Sequence, residues 1–144
     1  MAKGVFMSGV NPSYDDIPEL RYHFTKRYLN QAERCVGDWI VYYEPRQDGG
    51  RMCYFATAKV DRIERDPKTS DHFYAFVSDY LEFPAPVDYR NGNMFRESAL
   101  RKPDGSVNKG ALGWAIRRLP DHEYMEIVRL GMGDATGSVP AVGD

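Results

Sequence analysis

Residues 14–28, YDDIPELRYHFTKRY, set Tyr14, Tyr22, Phe24 and Tyr28 among the acids Asp15, Asp16 and Glu19 and the cations Arg21, Lys26 and Arg27. Flat rings beside carboxylates and cations suit a nucleobase: rings stack on its face, a carboxylate accepts from an exocyclic amine, and cations hold phosphate. The same pattern continues at Tyr42, Tyr43 and Glu44. Tyr14, Asp15, Tyr22, Phe24, Tyr43 and Glu44 are therefore the candidate base contacts, with Asp79 as a further acceptor for an amine. Arg21, Lys26, Arg96 and Lys109 are the candidate phosphate contacts. Adjacent strand residues point to opposite faces, so Tyr42 and Tyr43 cannot both enter one pocket, and many strand rings belong to the core. Asp15, Asp16 and Glu19 also fit acid–base work or a divalent ion, although loop acids commonly act as caps and turn formers.

Other chemistries find little support. The chain has no P-loop, no G-x-S-x-G and no dinucleotide fingerprint between a strand and a helix. Cys35 and Cys53 stand apart from each other and from His23, His72 and His122, without a zinc-like spacing. They read as reduced, buried thiols, and neither a metal nor a cofactor is expected.

The 144 residues suffice for one domain with its own core. Ten Tyr and seven Phe are many for that length, and Tyr serves polar interfaces as well as cores. The net charge of −2 is no basic coat, but its distribution is uneven. Residues 21–34 carry four cations against one acid, and residues 96–118 six against two. On a shared face the two segments would attract phosphate; on separate helices they would be solvated surface. Neither a signal segment nor a membrane span is apparent, and the expectation is a cytoplasmic protein.

The elements that must position these residues follow from periodicity. KGVFMS (3–8) reads as a strand, followed by a long loop. Thr25 caps a helix over about 26–36, and Gly37 stops it. DWIVYYE (38–44) and RMCYFATAKVDRI (51–63) form a hairpin across PRQDGG, and HFYAFVSDYLEF (72–83) is a further strand. FPAPVDYRNGN is extended or looped. The spacing predicts one helix from Asn108 through KGALGWAIRRL and another from about 120 to 130. Asn108, Lys109 and Gly110 suit either a phosphate contact at a helix start or a plain cap. The chain is thus read as an α+β domain, a strongly curved sheet or barrel with peripheral helices, over residues 1–131. Residues 132–144 read as a flexible tail or linker.

The segments YDDIPELRYHFTKRYL, GDWIVYYEPR, YFATAKVDRIERD, DHFYAFVSDYLEF and ESALRKPDGSVNKGALGWAIRRLPDHE together resemble the N-terminal domain of bacterial HNH-family restriction endonucleases. That domain is PUA-like, similar to the EVE and SRA-type modules. The resemblance implies a curved β-barrel, an aromatic pocket for a flipped modified base of double-stranded DNA, and a C-terminal HNH nuclease joined through a linker. No His-Asn-His constellation occurs in these residues, so the chain is read as the specificity domain rather than the nuclease. Thr25 stands where relatives carry proline. The function expected is recognition of a modified base, a substituted cytosine, with dimerisation open. The alternatives are a PUA-like RNA-binding domain, a small nucleotide-processing enzyme, and a partner domain whose rings are all core.

Overall fold

The computed structural model describes residues 1–9, 14–46 and 50–133. Its centre is a six-stranded sheet in the order β2-β5-β4-β3-β1-β8. The strands are β1 (Lys3–Met7), β2 (Arg21–Thr25), β3 (Trp39–Glu44), β4 (Cys53–Arg65), β5 (His72–Asp88) and β8 (Ile116–Leu119). β1 lies parallel to β3 and antiparallel to β8; the other neighbours are antiparallel. A two-residue pair, β6 (Arg90–Asn91) and β7 (Met94–Phe95), begins a small lobe. A 3-10 turn (Ser98–Leu100) and α2 (Lys109–Leu112) complete that lobe. α1 (Leu29–Arg34) and α3 (Asp121–Gly131) pack on the sheet.

The curl follows from the sequence of the long strands. Register shifts interrupt β4 between Tyr54 and Ala56, Thr57 and Lys59, and Val60 and Arg62. Each irregularity adds local twist, so the sheet bends instead of extending flat. Inside the bend Ala56, Ala58 and Ala75 leave room for Phe6, Tyr22, Phe24 and Tyr42. The alternation in WIVYYE divides as its period requires. Ile40 and Tyr42 join this inner cluster, while Val41 and Tyr43 join a second cluster with Tyr54, Phe83 and the α3 residues Tyr124 and Ile127. At Gly131 an added Cβ would come within 2.5 Å of the Phe83 ring, so only glycine lets the end of α3 approach β5 so closely.

Three local expectations are corrected. RYHFT, expected in a loop, is β2; burial of Tyr22 and Phe24 on one face supplies the strand signal. The helix expected through KGALGWAIRRL ends at Leu112, and Ile116–Leu119 pairs with β1 as β8. Ala111, Leu112, Ala115, Ile116 and Leu119 happen to match a helical period, whereas burial of Arg117 against Glu97 depends on a distant residue. The helix expected over 26–36 is a 3-10 turn at Lys26–Tyr28 followed by α1, and Thr25 makes no side-chain cap bond. β5 runs on through Pro84 and Pro86, beyond its pairing with β2 and within the irregular stretch of its pairing with β4 between Glu82 and Val87, where proline is tolerated. Of the expected tail at 132–144, residues 134–144 lie outside the described residues.

The sheet does not close. β2 and β8 are its two ends, and a side chain bridges the gap. The Tyr22 hydroxyl lies 2.7 Å from the Met7 carbonyl and 3.1 Å from that of Ala115, just before β8. Tyr22→Phe removes that donor from two partly buried carbonyls. It should lower stability by about 1–2 kcal/mol, read as a fall of a few degrees in Tm.

Candidate nucleic-acid interface

The seam between β2 and the start of β8 holds a cavity of about 210 Å³. Tyr22, Phe24 and Thr25 of β2 form one side, with Tyr28 beyond them; Met7, Gly9, Gly113 and Ala115 form the other. Tyr14, Asp16, His23 and Pro45 complete the lining. An edge strand thus supplies rings from its inner face, while the preceding loop folds back over its unpaired edge. That fold-back is fixed by Ile17 pairing with Arg21 and by the His23 N–H donating to Asp16 Oδ1 at 2.7 Å.

Asp16 is the carboxylate of the cavity. Burial pushes its pKa up to about 6, against the opposing effect of the His23 N–H. Asp15 turns the other way. The Arg21 guanidinium reaches its Oδ2 at 2.8 Å and holds its carboxyl below the usual range, and the Tyr74 hydroxyl donates to the same oxygen at 3.1 Å. His23 lies between them, stacked on Tyr74 at 4.5 Å and edge-on to Tyr14 at 5.5 Å.

The candidate residues therefore separate. Tyr14, Tyr22 and Phe24 line the cavity together. Asp15 does not line it and is tied to Arg21. Tyr43 is buried in the second cluster, 5.5 Å from Tyr54, with the Arg117 guanidinium 5.0 Å over its ring. Glu44 accepts from the backbone and side chain of Arg51. Tyr42 is also core, its hydroxyl donating to the Pro18 carbonyl. A one-residue step along a strand reverses the face, so neither tyrosine reaches the seam.

Among the cations, Arg21 is occupied by Asp15, and Arg96 donates to the Asp88 carbonyl. Lys26 is exposed and follows the cavity residue Thr25; Arg27 is exposed and stands over the cavity ring of Tyr28 at 5.4 Å. Neither has an ion-pair partner among the described residues. Lys109 is exposed at the start of α2, whose cap is the Asn108 side chain accepting from the Ala111 N–H. Tyr22–Thr25 and Tyr28 face Gly113 and Ala115 across the cavity, but no cation of the 96–118 segment lines it.

Sequence reasoning weighed Asp16 for acid–base chemistry or turn formation rather than for base contact, and it placed Tyr28 on a helix face. Met7, Pro45, Gly113 and Ala115 carry no local signal, because only the tertiary seam brings them together. Both cysteines are free and buried, and burial pushes the Cys35 thiol up to about 12. The described residues contain no cluster of His, Cys, Asp or Glu suited to a metal, and no helix long and apolar enough to cross a membrane.

No family model and no curated protein matches the chain. Solved structures do. Protein Atu2648 from Agrobacterium tumefaciens aligns over 100% of both chains with a TM-score of 0.56 at 13% identity. Rpa0253 from Rhodopseudomonas palustris aligns over 91% of this chain and 93% of its own, with a TM-score of 0.58 at 14% identity. The N-terminal domain of Staphylothermus marinus McrB aligns over 87% of this chain and 92% of its own, with a TM-score of 0.55 at 14% identity. At such identities the likeness is one of fold, and the fold is an α+β, PUA-like curled sheet with few helices.

Proposed function

We propose that the chain is a DNA-reading domain that takes one modified base out of the duplex and holds it in the β2–β8 seam. One observation carries the reading: an aromatic cavity lined by the half-buried Asp16 carboxylate opens beside two cations that no carboxylate among the described residues neutralises. At about 210 Å³ the cavity falls below the about 300–1,000 Å³ of sites for drug-sized ligands, so it suits one ring system better than a whole nucleotide. Stacking on Tyr14, Tyr22, Phe24 or Tyr28 contributes about 1–3 kcal/mol per base, enough to offset an unstacking cost of a few kcal/mol. The Asp16 carboxylate accepts from an exocyclic amine such as cytosine N4, which favours a cytosine over a thymine. Lys26 and Arg27 hold the flanking phosphates. The shared fold with the McrB N-terminal domain is compatible with this role. The resemblance carried by the sequence segments supports a role as the specificity module of an HNH-type endonuclease.

The test is a fluorescence-anisotropy titration at fixed salt with matched duplexes carrying plain, 5-methyl-, 5-hydroxymethyl- and glucosylated cytosine. Preference for one modified duplex is expected; equal binding to all four, or tighter binding to RNA, would sink the assignment. Lys26→Ala should weaken every duplex alike and reduce the slope of log K against log salt by about one unit.

A further inference from the structure

We infer that His23, locked as its Nε2–H tautomer by Asp66, is the positioning residue that holds the Tyr14–Asp16 wall of the cavity. The inference rests on the seam cavity being the binding site.

The hydrogen bonds determine the tautomer. The Asp15 backbone N–H donates to His23 Nδ1 at 3.0 Å. An amide N–H cannot accept, so Nδ1 carries a lone pair and the ring proton resides on Nε2. Nε2 lies 2.9 Å from Asp66 Oδ2 and donates to it. Asp66 is itself fixed, its Oδ1 accepting from the Lys68 N–H at 2.8 Å. The His23 and Asp66 side chains are only 5% and 3% exposed, so water cannot readily replace either partner.

Two consecutive loop residues are thus attached to one histidine, Asp15 by its backbone N–H to the ring and the cavity residue Asp16 through the His23 N–H. The ring cannot turn to compensate without leaving its stack on Tyr74 and its edge contact with Tyr14. The groups around the imidazole are Asp15, Asp16 and Tyr14 from the loop and Arg21 from its own strand. Tyr74 and His72 face it from β5, and Asp66 from the loop after β4. A second ring proton would point Nδ1–H at the Asp15 N–H, two donors facing each other. The bond to Asp15 would be lost, leaving the His23 N–H alone to hold Asp16 against the cavity.

The first test uses the free protein. In ¹⁵N-histidine-labelled protein at about pH 7.5, His23 Nδ1 should resonate as an unprotonated acceptor and Nε2 as N–H, with the Asp15 amide exchanging slowly. The opposite tautomer, or a fast-exchanging Asp15 amide, would overturn the proposal. His23→Phe keeps a ring on Tyr74 but offers no acceptor. It should still melt cooperatively, speed Asp15 exchange by about tenfold or more, and lower the modified-to-plain binding ratio similarly. His23→Asn places Oδ1 where Nδ1 stood, so it should restore Asp15 protection. Full protection and an unchanged binding ratio in His23→Phe would mean the histidine only fills space. If the wild type prefers no modified base, the reading of the cavity fails, and the free-protein tautomer and exchange data still decide the clamp.

Discussion

Asp16→Asn should raise stability at neutral pH and, in the same protein, weaken binding to the flipped base. The folded-state pKa of about 6 lies above the ordinary 3.8, so the fold favours the protonated carboxyl. The stability associated with that proton is complete below about pH 3.8 and is lost as pH rises through about 6. Asparagine removes the buried charge while its amide oxygen can still accept the His23 N–H. The variant should match the wild type in acid and exceed it at pH 7 by as much as about 3 kcal/mol, the equivalent of roughly two pKa units. Binding should move the opposite way. An amide nitrogen facing an exocyclic amine sets donor against donor, and binding should weaken by about tenfold or more. Paired thermal melts across pH 4–8 and anisotropy titrations check both halves. A variant less stable than the wild type at every pH would mark Asp16 as a structural anchor.

Arg117→Met should destabilise the protein by about 3–5 kcal/mol, the cost of leaving a buried charge without its partner. Arg117 and Glu97 are both completely buried and joined by two parallel bonds of 2.8 Å, and the Tyr54 hydroxyl donates to Glu97 at 2.6 Å. The same guanidinium donates to the carbonyls of Ala111 and Leu112 at 3.4 Å, tying α2 to β8. Gly113, on the cavity wall, follows α2 directly. The damage should therefore extend to the site, with the 98–113 backbone losing hydrogen-exchange protection before the sheet does. The double variant Arg117→Met, Glu97→Leu should recover much of the stability, because an apolar pair of similar volume needs no compensation for lost hydration. Urea denaturation of the wild type and the two variants tests this; equal loss in the single and double variants would show that the pair acts through shape alone.

The buried pair also shows where sequence reading ends. The alternation of DWIVYYE identified a strand with rings on both faces, and the hairpin to β4 followed from it. Tyr14, Tyr22 and Phe24 could be grouped because a single short segment carries them. Arg117 and Glu97 read as surface charges, since nothing local indicates that residues 20 positions apart neutralise each other in the core. Tyr43 and Glu44 looked as suitable as Tyr22 and Phe24 by composition. The difference is which side of the sheet is closed by α3 and which opens into the seam, and that is set by strand order. Choosing between Asp15 and Asp16 required knowing which loop residue turns toward Arg21 and which toward the cavity.

The unpaired seam has a consequence for association. A sheet with two free edges is open to added strands from neighbouring molecules. Here the ends of the sheet approach each other across the cavity, and Tyr22 together with the 14–18 loop occupies the gap. The feature that makes room for a guest thus also conceals adhesive backbone. Substitutions that widened the opening for a bulkier guest would strip away that cover, so the variety of guests such a fold can evolve to admit is bounded by how much self-association it tolerates.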